Sequence, residues 1–221
     1  MIKIEDLGDL IKTRRSIRKF QDKPVPEDLL VKAIELAAWA PNGGNFQPWK
    51  FLIVTNKDLI HKMGDAVKAK TELMASWPEA VICGDALERW KRTSDFFRGA
   101  PACIAVLMGR YISIADQVLR ARGEIDPAAR EIRSYRQMGN SSLQSVAAAI
   151  TYLLLIFHYF GLGATWMAGP QQAKKEIEQL LSVTGEWDLV DLIPVGYPAE
   201  SPKTAGRKPV SEIIQFFRQN S

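Results

Sequence analysis

Residues Ala40 to Trp49 read APNGGNFQPW: two adjacent glycines, two asparagines and a glutamine held between two prolines. The stretch follows a helical pattern and precedes an apolar, β-rich run, so it marks where a first long helix ends and a sheet begins. Upstream, Pro26 and Glu27 open that helix. Proline in the first turn, acidic residues beside it, and Leu29, Leu30, Ala33, Ile34, Ala37 and Ala38 at helical spacing predict a helix to about Trp39. Downstream, WKFLIVT is a strand by its β-branched and aromatic content, and NKDLIHKMGDAVKAK is a helix capped by Asn56.

Further out, APACIAVLMG reads as a second, fully buried strand, GATWMAG as a third, PQQAKKEIEQLLSV as a helix begun by Pro170, and DLVDLIPVGY as the last strand. Asp6 to Lys12 is a short amphipathic segment. Leu143 to Phe160 is the most hydrophobic stretch, but its apolar part is short for a bilayer and ends in Gln144 and Ser145 on one side and His158 on the other. A buried helix packed at a subunit interface is expected, with no membrane span. Residues 77–98 and 110–140 lack clean periodicity, and the region 70–140 is expected to form a variable lid over the substrate side. The proline-rich tail, 198–221, should lie extended along a surface. Strands separated by helices give a layered arrangement on one sheet, in a single domain over 1–221.

The 221 residues are 47% apolar, enough for a full core and incompatible with a disordered or fibrous chain. The N-terminal MIKIEDLGDLIKTRRS has no apolar run of secretory type, so a cytoplasmic location is expected. Cys83 and Cys103 share no metal or redox spacing and read as buried free thiols. Net charge is +4, concentrated in KTRRSIRK and KTAGRK. That is too little basic surface for a nucleic-acid binder, and suits one phosphate gripped from two sides.

Motifs for P-loops, zinc hydrolases, serine hydrolases and paired cysteines are absent, and no metal site is expected. GLGATWMAG fails the dinucleotide fingerprint, which needs glycine where Trp166 stands. His61 reads as solvated and His158 as a satisfied core histidine. Without a nucleophile or an acid–base pair, either a cofactor performs the chemistry or the protein only binds. A planar heterocycle bearing a phosphate needs cationic and hydroxyl donors, amides for a ring edge, and backbone that can lie against the ring. RRSIR offers Arg14, Arg15, Ser16 and Arg18. PNGGNFQ offers Asn42, Asn45 and Gln47 with close backbone at Gly43 and Gly44, and Met167 to Gly169 offer backbone N–H groups.

At these residues the chain resembles the nitroreductase family of FMN-dependent oxidoreductases, through TRRSIRKF, APNGGNFQPWKFLIV, GLGATWMAG, LIPVGYPAE and GRKP, in the family's order over nearly the whole chain. The resemblance implies an α+β fold with a central, mainly antiparallel sheet flanked by helices, in an intertwined homodimer with two FMN sites at the interface. It implies that Arg14, Arg15 and Ser16 grip the phosphate and ribityl chain, that Arg18 reaches the pyrimidine edge, and that Arg207 closes on the phosphate. Asn45 would approach the ring, Pro41, Asn42, Gly43, Gly44 and Gln47 would line the pocket, and backbone at Ala168 and Gly169 would face the N5 and O4 region. The implied activity is transfer of electrons from NAD(P)H to nitroaromatic, quinone or related acceptors by a ping-pong mechanism, with no catalytic side chain beyond Arg18 tuning the flavin. A flavin-binding protein without turnover, or a dehalogenating or flavin-modifying relative, would share the same motifs. Thr151 and Tyr152 stand where many members have a Q-N pair, and Ala205 where many have a further basic residue.

Overall fold

In chain order the computed structural model, which describes residues 3–218, runs α1 (Ile4–Thr13), α2 (Glu27–Ala37), β1 (Trp49–Val54), α3 (Lys57–Ala75), α4 (Asp85–Thr93), β2 (Ala102–Gly109), α5 (Ile114–Arg122), α6 (Pro127–Gly139), α7 (Ser141–Tyr159), β3 (Gly163–Ala164), α8 (Lys174–Leu180) and β4 (Trp187–Gly196). Residues 1–2 and 219–221, which the single-domain and tail expectations include, lie outside the described residues.

The four strands form one sheet in the order β1-β2-β4-β3, with every neighbouring pair antiparallel. Side chains alternate across a strand, and β2 uses both faces. Ala102, Ile104 and Val106 pack with Leu30, Ala33, Val146, Ile150, Leu153 and Phe157 of α2 and α7. Cys103, Ala105 and Leu107 pack with Ile60, Met63 and Val67 of α3 and Ile177 of α8. Helices therefore cover both faces of an antiparallel sheet, the α+β arrangement that the resemblance implies. Burial pushes the Cys103 thiol up to about 12, as befits a packed apolar residue. Cys83 is exposed, contrary to expectation: it ends a 3-10 turn, Pro78–Cys83, in the excursion between α3 and α4, where no periodicity marks an inner face.

Local signals account for most boundaries. Pro26 sits just before α2 with Glu27 and Asp28 in its first turn, and the Asn56 side chain accepts from the Leu59 N–H at 3.1 Å to cap α3. Helix α7 is long and apolar enough to cross a membrane by length and composition, yet it buries Val146, Ala149, Ile150, Leu153 and Phe157 against the sheet. The third strand is shorter than GATWMAG suggests. After Ala164 the ladder thins to single contacts in the same register, with Thr165 donating to Pro194 and Met167 bridging Leu192, because Pro194 has no N–H to return to Thr165. The following helix starts as a 3-10 turn at Gly169–Ala173 and becomes α8 only at Lys174.

The stretch from Ser16 to Gln21 lies against the far end of β4. Ser16 bridges Ala164, Thr165 Oγ1 donates to the Ile17 carbonyl at 2.6 Å, and Gln21 N–H donates to the Tyr197 carbonyl at 2.9 Å. Gly163 makes that approach possible: a Cβ there would meet Ile17 at 2.6 Å.

Candidate functional site

The basic segment leaves α1 at Thr13 and places Arg14 and Arg15 half-buried beside the returning tail. Arg15 donates to the carbonyls of Lys12 and Arg14, at 2.6 Å each, and to the Thr204 hydroxyl. Burial, reinforced by the charges of Arg15 and Arg207, holds the Arg14 pKa below its ordinary value. Arg14, Arg15 and Arg207 thus crowd together, and none is ion-paired to a carboxylate among the described residues. His158, at the end of α7, faces the same cluster. Its Nε2 lies 2.9 Å from Thr13 Oγ1, and burial together with Arg14 and Arg15 lowers its pKa. The Thr13 hydroxyl already donates to the Asp9 carbonyl, so the neutral imidazole is the donor in this pair. His158 is therefore a half-buried neighbour of the basic cluster and not the core histidine expected from its apolar helix.

Arg18 is exposed and turns toward a cavity of about 260 Å³. Its guanidinium lies 5.9 Å over the Phe96 ring, and Trp90, Trp166, Ala168 and Gly169 line the same space. Its backbone N–H, with that of Lys19, donates to the Glu200 carboxylate. Trp90 and Phe96 carry no sequence signal beyond being aromatic, since the segment 77–98 lacks clean periodicity, and Trp166 enters the sequence reading only as the residue that rules out a dinucleotide fingerprint.

The APNGGNFQPW stretch folds as a self-clasped turn. Gly44, Asn45 and Gln47 all have φ between 53° and 59°, in the left-handed region. Glycine tolerates it freely and asparagine tolerably, whereas glutamine is held there against its preference. The clasp comes from the amides: Asn42 Oδ1 accepts from the Gln47 N–H at 2.9 Å, and Gln47 Nε2 donates to Asn45 Oδ1 at 3.3 Å. Asn42 and Gln47 therefore spend part of their hydrogen-bonding capacity on the loop itself. Tyr111 packs over the loop, its ring centroid 5.1 Å from that of Phe46, and a Cβ on Gly44 would meet its hydroxyl at 2.8 Å. Ser145 Oγ accepts from the Gly43 N–H at 3.3 Å, and Ser142 Oγ from the Tyr111 N–H at 3.1 Å.

One chain does not bring the two halves of the expected site together. Trp49, which the loop feeds, is level with Met108 and Asp188, whereas Ser16 bridges Ala164, which is level with Val195. Seven residues of β4 at ~3.3 Å each separate those levels by roughly 23 Å. Helix α7 measures the same gap: Gly43 is tied to Ser145 and Thr13 to His158, thirteen residues on, or roughly 20 Å at 1.5 Å per residue. A small-molecule pocket of roughly 300–1,000 Å³ is about 7–10 Å across. Arg14, Arg15, Ser16, Arg18, Ala168, Gly169 and Arg207 therefore belong to one end of the subunit, and Pro41 to Gln47 to the other.

Comparison with known proteins accords with this architecture. A Methanothermobacter thermautotrophicus protein assigned as NADH dehydrogenase/NAD(P)H nitroreductase is 28% identical over 203 residues, covering 90% of this chain and 81% of the relative. A BluB-like flavoprotein from Clostridium difficile 630 superposes with a TM-score of 0.85 at 28% identity, over 96% of this chain and 99% of that one. An iodotyrosine deiodinase bound to FMN and 3-iodo-L-tyrosine superposes with a TM-score of 0.68 at 25% identity, over 97% and 99% of the two chains. Residues 11–197 match the model of the Nitroreductase family, and the chain belongs to that family.

Proposed function

We propose that this chain is an FMN-dependent oxidoreductase that works as a homodimer, taking electrons from NAD(P)H and passing them to nitroaromatic, quinone or related electron-poor acceptors. The observation that carries the reading is the cluster of Arg14, Arg15 and Arg207, three guanidiniums brought together from both ends of the chain with no carboxylate paired to them among the described residues. Such a donor set fits a phosphate monoester, whose charge and oxygens would satisfy forks that now repel one another. The FMN bound by the deiodinase relative carries a phosphate of this kind.

Bound FMN would supply reversible two-electron exchange at one ring face, used in turn by donor and acceptor, hence the ping-pong order. The protein's own residues hold and shield it. Arg14, Arg15, Ser16 and Arg207 grip the phosphate end, and Arg18 presents its charge at the pyrimidine edge beside Ala168 and Gly169. Trp90, Phe96 and Trp166 give apolar walls to the cavity that Arg18 shares with Ala168 and Gly169.

The homodimer reading answers the gap of roughly 20 Å between the two halves. With a partner subunit supplying Pro41, Asn42, Gly43, Gly44, Asn45 and Gln47, the left-handed loop meets the arginine end of its neighbour. The apolar surface suits such an arrangement. Val31 and Leu36 on α2, Trp39 just after it, Leu143, Tyr152 and Tyr159 on α7, and Ile213, Ile214, Phe216 and Phe217 in the tail are all exposed, Trp39 to 84% and Phe217 to 89%. We place the protein in the cytoplasm, where reduced nicotinamide is available and free thiols such as Cys83 and Cys103 persist.

The test is chemical. Protein purified without added cofactor is heat-denatured and the released flavin identified by chromatography. The holoprotein is then mixed anaerobically with NADH or NADPH, followed by a nitroaromatic, a quinone or 3-iodotyrosine. FMN that bleaches with the donor and recovers its colour with the first two acceptors supports the reading. FAD alone, or no flavin after reconstitution, overturns it. Flavin that never bleaches points to a binding protein, and recovery of colour with 3-iodotyrosine alone points to a dehalogenase.

A further inference from the structure

We infer that the acceptor this protein prefers carries a negatively charged group, carboxylate foremost, recognised by Arg120 and Arg133 in a cavity beside the left-handed loop; the inference rests on the oxidoreductase reading above. The cavity, about 430 Å³, is the space enclosed by α5, α6 and the start of α7. Its wall includes Tyr111, Arg120, Arg133, Arg136 and Asp116.

Charge in this cavity is unbalanced. Arg136 Nε donates to Asp116 Oδ1 at 2.7 Å, and Asp116 also accepts from the Ser113 N–H and hydroxyl, so its carboxylate is fully engaged. That engagement holds the Asp116 pKa well below the usual carboxylate range, and the side chain stays negative at any physiological pH. Asp116 is therefore hydrogen-bonded to Arg136 and forms no ion pair with Arg120 or Arg133. Arg120 and Arg133 have no ion-pair partner among the described residues, whereas Arg122, on the same helix as Arg120 but outside the cavity, pairs with Asp126 at 2.9 Å. Three guanidiniums and one carboxylate line this space of ligand size, and the two guanidiniums without an ion pair, Arg120 and Arg133, form a receptor for an anion, with fork geometry suited to a carboxylate.

Position links this receptor to the proposed chemistry. Tyr111 forms one wall of the cavity while its other side packs on Gly43, Gly44 and Phe46, the loop that would meet the flavin of the partner subunit. A planar acceptor lying against Tyr111 could place its acidic group on the arginines and its reducible group toward the loop. The excursion between β2 and α7, without periodicity in the sequence, thereby acquires a role in choosing the acceptor.

The test compares two acceptors of nearly the same shape, the anionic 4-nitrobenzoate and the neutral 4-nitrobenzamide, using the holoprotein. In the wild-type protein KM for the benzoate should be at least about tenfold below that for the amide, since a hydrogen-bonded ion pair discriminates to at least that extent. In Arg120→Gln and Arg133→Gln the ratio should fall, and in the double variant it should approach one. Arg122→Gln, which touches a pair outside the cavity, should keep the wild-type ratio. Calorimetric titration of 4-nitrobenzoate into oxidised protein reads the same loss as a weaker Kd and needs no turnover. Arg133→Lys guards against a folding defect by retaining charge, and should keep part of the preference. A wild-type ratio near one, or a ratio unmoved in the double variant, overturns the inference while leaving the oxidoreductase reading intact. Failure of that reading would instead appear as protein without FMN.

Discussion

The Arg15 guanidinium donates to the Thr204 hydroxyl, joining positions 189 residues apart and laying the tail across the basic end of the subunit. The same fold of the tail brings Arg207 close enough to Arg14 to help lower its proton affinity. If the three cations share one phosphate, Arg15→Ala and Arg207→Ala should each weaken FMN binding by about 1–3 kcal/mol, roughly 5- to 150-fold in Kd. Fluorescence of flavin released on ultrafiltration reads this directly. Retention at wild-type strength in both variants would place the phosphate elsewhere.

Arg18 is expected to act on electrons more than on affinity. It shares its cavity with Ala168 and Gly169 and lies apart from the phosphate cluster. A cation at the pyrimidine edge favours the more negative, reduced form of the cofactor, so Arg18→Ala should lower the two-electron potential. A contact of about 1–3 kcal/mol corresponds to a drop on the order of 20–65 mV. The phosphate keeps its charge on reduction, so the Arg15 and Arg207 variants should leave the potential nearly in place. A dye-coupled redox titration of the three variants separates the two roles; an unmoved potential in Arg18→Ala would reassign that arginine.

Periodicity and capping made most elements legible before any coordinates: the helix opened by Pro26, the cap at Asn56 and the buried strand Ala102–Gly109 stand where local chemistry puts them. Legibility failed where tertiary contacts overrule local preference. GATWMAG has strand composition, but it faces Pro194 on β4, which has no N–H to complete the ladder after Ala164, and no property of the segment itself announces a missing donor in its neighbour. Asn42 and Gln47 read as free amides because nothing in a linear sequence shows that they bond to their own loop. The pieces of the expected site could be named residue by residue. Their division between opposite ends of the subunit could not, since it follows from strand register and from which end of α7 each segment meets.

That division yields a prediction about assembly. A chain ending at residue 200 loses Thr204, Arg207 and the exposed anchors Ile213, Ile214, Phe216 and Phe217 together. It should run as a monomer in light scattering and fail to retain FMN, while α2, α7 and the sheet keep it folded by circular dichroism. A truncated chain that remained dimeric with bound flavin would show that neither Arg207 nor the tail anchors matter to assembly.

Gly163 sets how closely the basic segment approaches the sheet. A methyl group there would lie 2.6–2.8 Å from three atoms of Ile17, next to the bridge between Ser16 and Ala164. Gly163→Ala should cost about 1–3 kcal/mol of stability as overpacking and should weaken FMN binding, because Arg14 to Arg18 are carried on the displaced segment. Ile17→Ala in the same chain should restore part of both, which urea melts and flavin content would register; no recovery would mean that the clash is relieved some other way.

Asp191 on β4 is 4% exposed, and burial pushes its carboxyl up to about 6, opposed by a hydrogen bond from Trp166. In the unfolded chain the same group titrates near the ordinary value of 3.8. Between those two values the folded state binds the proton more tightly than the unfolded state, so stability contributed by this site falls as pH rises from about 4 to about 6 and is constant above. Two units of difference amount to roughly 2–3 kcal/mol at most. Asp191→Asn keeps the shape, stays neutral and can still accept from the Trp166 indole. The variant should therefore be about 1–3 kcal/mol more stable than wild type at pH 8 and close to it at pH 4, as measured by urea unfolding at both values. An equal difference at the two pH values would mean that the substitution acts through packing and not through the ionisation of a buried carboxylate.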